Sequence, residues 1–169
     1  RADISIGAPG DVPSGGGYAT KLLGHLEFVF AVAPHHPLAN QAEPLSSQDI
    51  ILYRAVAAAD SSRNLPPRTS GILSGQDVLT VHNMESKLEA QIMGLGVGYV
   101  PKHLALRHAS AGKLIIKKVA ESKTITPSYL AWRNSRNHKM GRAQQWLLKR
   151  FEQLTLDALM PIEYEKSNP

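Results

Sequence analysis

The chain has 169 residues, 43% of them hydrophobic, enough to bury a core as one domain or as two small lobes. It contains no cysteine, which excludes disulfides, thiolate metal sites and cysteine nucleophiles together, and no apolar run approaches the roughly 18 residues of a membrane-spanning helix. The 19 Lys and Arg against 14 Asp and Glu give a net charge of +5, yet the densest basic group, from Arg133 to Arg142 with Lys149 and Arg150 beyond, has no interleaved aromatics for base stacking, so nucleic-acid binding by this segment is not expected.

Residues 2–8 alternate toward a strand with no initiator Met and no preceding turn, so the chain is expected to start in mid-fold. Pro9-Gly10-Asp11 signals a turn, and residues 13–17, with three consecutive glycines, a flexible loop. That loop lacks the Lys and spacing of a phosphate-binding P-loop. Residues 26–33 form the clearest strand, too apolar to face water on both sides and therefore central. Pro34-His35-His36-Pro37 breaks it in what reads as a solvated turn, because adjacent histidines on an extended segment point apart and no third ligand is spaced to complete a metal site.

Ser46 with Asp49 three residues on is a helix-start signature. Residues 53–59 are a strand candidate that leads into a polar, proline-stiffened loop over residues 60–68. In open α/β sheets, ligands bind at such strand ends. Residues 77–81 make another strand, and Asn83 is the expected N-cap of a helix over residues 84–93 that Gly94 ends. Leu88, Ile92 and Met93 read as its inner face, with Glu85, Lys87, Glu89 and Gln91 outside. Gly94-Leu95-Gly96-Val97-Gly98 follows a helix and enters a strand, the reverse of the dinucleotide-binding order. Pro101 then opens a helix over residues 102–109, ended by Gly112.

Residues 113–119, with three lysines, suggest a strand near an edge, and residues 128–132 another strand. From Met140 to about residue 159 a long helix is expected, its stripe made of Ala143, Trp146, Leu147, Phe151, Leu154 and Ala158, before a frayed tail over residues 163–169. Strands leading into helices through short loops place the chain in the α/β class with mixed sheets. No nucleophile with a base, paired carboxylates, cofactor loop or metal cluster stands at a working spacing, so neither catalysis, cofactor nor metal is expected.

Four landmarks in order, Arg1-Ala2-Asp3-Ile4-Ser5-Ile6-Gly7, Phe30-Ala31-Val32-Ala33-Pro34-His35-His36-Pro37-Leu38-Ala39, Gly94-Leu95-Gly96-Val97-Gly98-Tyr99-Val100-Pro101 and Leu130-Ala131-Trp132-Arg133, make nearly the whole chain resemble the effector-binding domain of LysR-type transcriptional regulators. The resemblance implies a two-lobed, periplasmic-binding-protein-like fold with two crossover strands and a small effector in the cleft between lobes. It implies a first lobe from residues 1–30 and 124–169, lacking an N-terminal strand and helix, and a second from residues 31–123. The family's DNA-binding domain has no counterpart in this sequence.

By position, the resemblance turns Ala8, Pro9, Asp60, Ser61, Ser62, Arg63, His82 and Asn83 toward the effector. The hydroxyls of Ser61 and Ser62 and the guanidinium fork of Arg63 suit a small polar or anionic metabolite. The simpler account of Asp60 and Arg63 is an exposed pair that ties down the loop. The resemblance also implies side-by-side pairing of two copies, as a dimer or tetramer, with Glu85, Lys87, Glu89 and Gln91 as interface candidates. An effector sensor of this family would be cytoplasmic, free of the membrane, and bind DNA only through a domain outside this sequence. A periplasmic-type solute-binding protein of a transporter shares the architecture and is the alternative.

Overall fold

A computed structural model describes residues 3–7, 17–59, 71–121, 125–134 and 140–153. In chain order they form β1 (Ile4–Gly7), β2 (Tyr18–Val32), a 3-10 turn (Pro37–Asn40), α1 (Ser47–Ile50), β3 (Ala55–Ala58), β4 (Val78–Val81), α2 (Met84–Ile92), β5 (Gly98–Pro101), α3 (Lys102–Ser110), β6 (Ile115–Lys117), β7 (Ile125–Arg133) and α4 (Arg142–Gln153). The chain divides into two units: unit 1 is Arg1–Glu27 with Ile125–Pro169, and unit 2 is Phe28–Thr124. Strand β2 contributes to both.

In unit 1, β7 lies between β1 and the first part of β2, antiparallel to each, with Ile4 opposite Trp132 and Tyr18 opposite Arg133. The register slips between Leu22 and Gly24, a bulge that re-aims the strand before it continues. Strand β2 therefore starts well before residue 26. Its first residues alternate exposed and covered because β7 supplies the ladder that local sequence does not announce. Helix α4 turns Gln144, Leu147, Leu148 and Phe151 inward at helical spacing. Trp146, expected on that stripe, is 68% exposed, and Ala143 is exposed as well. Leu154 and Ala158 lie outside the described residues. The Nζ of Lys21 donates to the Phe151 carbonyl at 3.3 Å, and a groove of about 370 Å³ runs beside it, lined by Leu130, Trp132, Met140 and Leu148.

In unit 2, residues 28–32 of β2 are the middle of an antiparallel sheet, with β5 on one side and β6 on the other. Both faces are covered, which explains the unbroken apolar run. Phe30 and Val32 point into one core with Leu38, Leu45, Ile50 and Val97. Ala31 points into the second with Leu88, Val100, Ala105 and Leu114. The lysines at and just after the end of β6 behave differently from each other. Lys118 is exposed, whereas Lys117 is buried, its ammonium donating to the carbonyls of Ala39 and Gln41 at 3.2 and 2.8 Å and lying 3.4 Å from the Glu43 carboxylate. Ser46 and Asp49 form the expected capping box, each side chain bonded to the other residue's backbone N–H.

His36 is buried rather than solvated: its ring meets Tyr53 edge-on at 4.7 Å, and its Nδ1 accepts from the Leu38 N–H. Burial, and secondarily the neighbouring His35, hold its pKa below the ordinary histidine value. No helix among the described residues is long and apolar enough to cross a membrane.

Candidate functional site

Strands β3 and β4 are parallel, in register from Ala55 opposite Val78 to Ala58 opposite Val81, so their carboxyl ends finish side by side. The Ala59 N–H donates to the Val81 carbonyl at 2.7 Å and closes that end. Two residues, His82 and Asn83, separate Val81 from the start of α2, whose N-terminus therefore stands at the same edge. This is where an α/β layer presents backbone N–H groups to a ligand.

His82 and Asn83 occupy this edge and are exposed. The Asn83 Oδ1 accepts from the Ser86 N–H at 2.8 Å, so its oxygen serves as the helix cap and its amide N–H₂ faces outward from that bond. Ala8, Pro9, Asp60, Ser61, Ser62 and Arg63 lie outside the described residues. Nearby at the opposite end of β3, Arg54 Nε donates to the Asp77 carboxylate at 2.6 Å; both are exposed, and that hydrogen bond draws the Asp77 pKa below its usual value.

Helix α2 sits in unit 2 with a different face inward from the one its apolar residues suggest. Leu88, Ala90 and Gln91 are buried, Ile92 is half-buried, and Met93 is 67% exposed. At about 100° per residue, Met93 lies roughly 140° around the helix from Leu88, whereas Gln91 lies about 60° away. Of the four polar residues expected outside, Glu85 and Glu89 are exposed, Lys87 is half-buried, and Gln91 has no exposed surface to offer a partner. Hydrophobicity alone mis-sets the rotation because Gly98, which has no side chain, lets Gln91 pack directly against the β5 backbone.

The glycines after α2 each answer a close approach. Gly94 ends the helix with φ +74 against the His35 imidazole, which a β-carbon would strike. At Gly96 a β-carbon would lie 2.5 Å from the Arg54 carbonyl oxygen, so only glycine lets Val97 exchange backbone hydrogen bonds with Arg54 and Val56. At Gly98 the neighbours are polar: a β-carbon would sit 3.2 Å from Gln91 Nε2, 3.3 Å from the Val56 carbonyl oxygen and 3.6 Å from Lys87 Nζ. Among the described residues neither Gln91 Nε2 nor Oε1 has a hydrogen-bond partner. Burial alone pushes the Lys87 amine down to about 8.

Among the described residues no three His, Asp or Glu side chains are grouped to hold a metal. A mixed α/β fold in two units joined through β2 is the architecture of periplasmic-binding-protein-like regulatory domains. The chain belongs to the LysR substrate binding domain family, whose match covers residues 1–154. It is 44% identical over 132 residues to an uncharacterized HTH-type transcriptional regulator of Escherichia coli K12, YeeY, covering 78% of this chain and 43% of that one. Over 112 residues it is 38% identical to the HTH-type transcriptional activator AllS of Klebsiella pneumoniae, 66% of this chain and 42% of the relative. It thus spans less than half the length of these relatives. Among solved structures, the regulatory domain of Synechocystis PCC6803 CcmR in complex with 2-PG superposes with a TM-score of 0.64 at 16% identity, covering 90% of this chain and 73% of that one, a likeness of fold.

Proposed function

We infer that this chain is the effector-sensing part of a LysR-type transcriptional regulator, and that unit 2 contributes the carboxyl ends of β3 and β4 and the N-terminus of α2 to the effector site. The observation that supports this most directly is the convergence of two parallel strand ends and a capped helix N-terminus at one edge, in a chain of this family. His82 and Asn83 stand on that edge, and Asp60, Ser61, Ser62 and Arg63, which follow β3 in sequence, belong to the proposed contact set of unit 2. The effector is a small polar or anionic metabolite, recognised by hydroxyls, a guanidinium and helix N–H groups. Binding shifts a conformational equilibrium by no more than its differential affinity for the two states, and oligomerised copies transmit the shift to DNA through a domain outside this sequence. A regulator of this kind acts in the cytoplasm without enzymatic turnover.

The two curated relatives are transcriptional regulators, and neither name supports the solute-transport alternative. Exposed Glu85 and Glu89 remain the interface candidates on α2; Glu85→Lys with Glu89→Lys should lower the mass in solution, and an unchanged mass removes that surface from consideration. For the effector site, thermal-shift screening of the full-length regulator against a metabolite library is decisive. A ligand at about 100 times its dissociation constant stabilises by roughly 2.7 kcal/mol. Arg63→Ala should weaken that response, and a library with no stabilising compound counts against effector sensing.

A further inference from the structure

We propose that the groove of unit 1, between α4 and the paired strands β2 and β7, is a second binding site. It takes a small apolar monocarboxylate whose ring or short chain lies on Trp132 and whose carboxylate meets Lys21. The groove belongs to unit 1 and the effector edge of β3 and β4 to unit 2, so this site stands whether or not that edge binds an effector.

At about 370 Å³ the groove has the size of a small-molecule site. Leu130 and Trp132 of β7 line it, as do Met140, just before α4, and Leu148 on α4. Leu130 is buried and Trp132 half-buried. The Gln145 side-chain amide donates to the Met140 carbonyl at 3.0 Å, which ties Met140 to the first turn of the helix. A thioether and an indole on one apolar surface suit a flat ring, through sulfur and edge contacts.

The polar groups select the other end of the ligand. Along β2, Tyr18, Thr20 and Leu22 are exposed while Ala19, Lys21 and Leu23 turn to the covered side, so a lysine stands in a row that otherwise packs apolar groups. Its cross-strand partner is the buried Leu130. The Lys21 Nζ donates to the Phe151 carbonyl, in the last turn of α4, at 3.3 Å, and this holds the ammonium at the groove. Among the described residues that is the one hydrogen bond it makes, which leaves two of its three donors for a ligand. Lys149 and Glu152, on one face of α4, also line the groove, so two ammonium groups face one carboxylate. The surplus positive charge complements a monoanion. A phosphate dianion fits less well, because the described lining includes no arginine fork.

The test uses the full-length protein labelled with ¹³C-methyl methionine, with sodium phenylacetate as the probe and phenylethanol as its uncharged counterpart. Met140→Leu assigns the groove signal. Phenylacetate should shift the Met140 methyl saturably and leave that of Met84, which opens α2 in unit 2, in place. Phenylethanol should bind about tenfold more weakly, the loss expected for a charged hydrogen bond. Lys21→Met should lose about tenfold in phenylacetate affinity and keep the phenylethanol response, which shows that the groove still forms. Lys21→Arg keeps a cation there and should retain most of the affinity; a loss in both variants overturns the proposal. So does equal affinity for the two probes, or a Lys21→Met protein that binds phenylacetate as the parent does, since either describes an apolar groove without anion recognition. A Met140 signal that phenylacetate does not move overturns the site itself, and a shift at Met84 alone places the probe at the effector edge instead.

Discussion

Gln91 and Gly98 meet face to face inside unit 2: the amide nitrogen of one lies 3.2 Å from where the other would carry a β-carbon. The glycine is thus matched to a polar helix residue that composition alone would place in solvent. Gly98→Ala must push against Gln91 and the Val56 carbonyl from a backbone at φ +153, and should destabilise by about 1–3 kcal/mol. Gly96→Ala meets the Arg54 carbonyl oxygen at 2.5 Å, which cannot swing aside, so its cost should reach about 3 kcal/mol or more. Urea denaturation of both variants checks the order.

Lys87→Met should stabilise the protein by about 1–3 kcal/mol at neutral pH, because it replaces an unpaired, desolvated ammonium by an apolar group of similar length. The amine titrates near 8 when folded and near 10.5 when unfolded, so between those values the unfolded chain binds more protons. Parent stability should therefore rise with pH from about 8 to 10.5, and the variant should lack that rise. Denaturation midpoints across the interval measure it; identical pH profiles would show that the amine is solvated in the folded protein.

His36 gives the opposite end of the pH range. Its folded pKa lies below 6.5, so the unfolded state takes up the proton first and stability should fall as pH drops through 6.5. Protonation removes the Nδ1 acceptor that caps the 3-10 turn through Leu38 N–H. His36→Ala should flatten that acid limb and cost about 1–3 kcal/mol through the lost hydrogen bond and the edge contact with Tyr53. Thermal melts between pH 5 and roughly 7.5 resolve it, within the ordinary titration range of histidine.

Asn83 allows capping to be separated from recognition. Asn83→Ala should cost about 1 kcal/mol by freeing the Ser86 N–H, whereas Asn83→Ser keeps a cap and should change stability by less than about 0.5 kcal/mol. If the outward amide contacts effector, Asn83→Ser should still weaken the ligand-induced thermal shift. A full shift in that variant would leave Asn83 as a cap alone.

The features legible in advance are those whose physics is local. The Ser46 and Asp49 capping box, the Asn83 cap, the Gly94 helix stop and the apolar centre of β2 each depend on a few adjacent residues, and each occurs as its residue types require. The start of β2 was hidden because its ladder partner β7 comes from the far end of the chain and Gly24 interrupts the alternation. The inward turn of Gln91 was hidden because helical periodicity ranks residues by hydrophobicity, and here the receiving surface is a bare glycine flanked by a carbonyl. His36 and Lys117 were hidden for a related reason: a buried polar group is permitted wherever carbonyls or N–H groups arrive from distant segments to satisfy it.

By itself the sequence determined the α/β class, the order of most elements, their local caps and stops, and the LysR family, since these follow from short-range patterns and motif order. Only the tertiary structure decided the rotation of α2, the burial of His36 and Lys117, the early start of β2, and the meeting of Lys87 and Gln91 over Gly98. Burial and partnership belong to pairs of surfaces brought together from separate stretches of chain, and no single stretch carries that information.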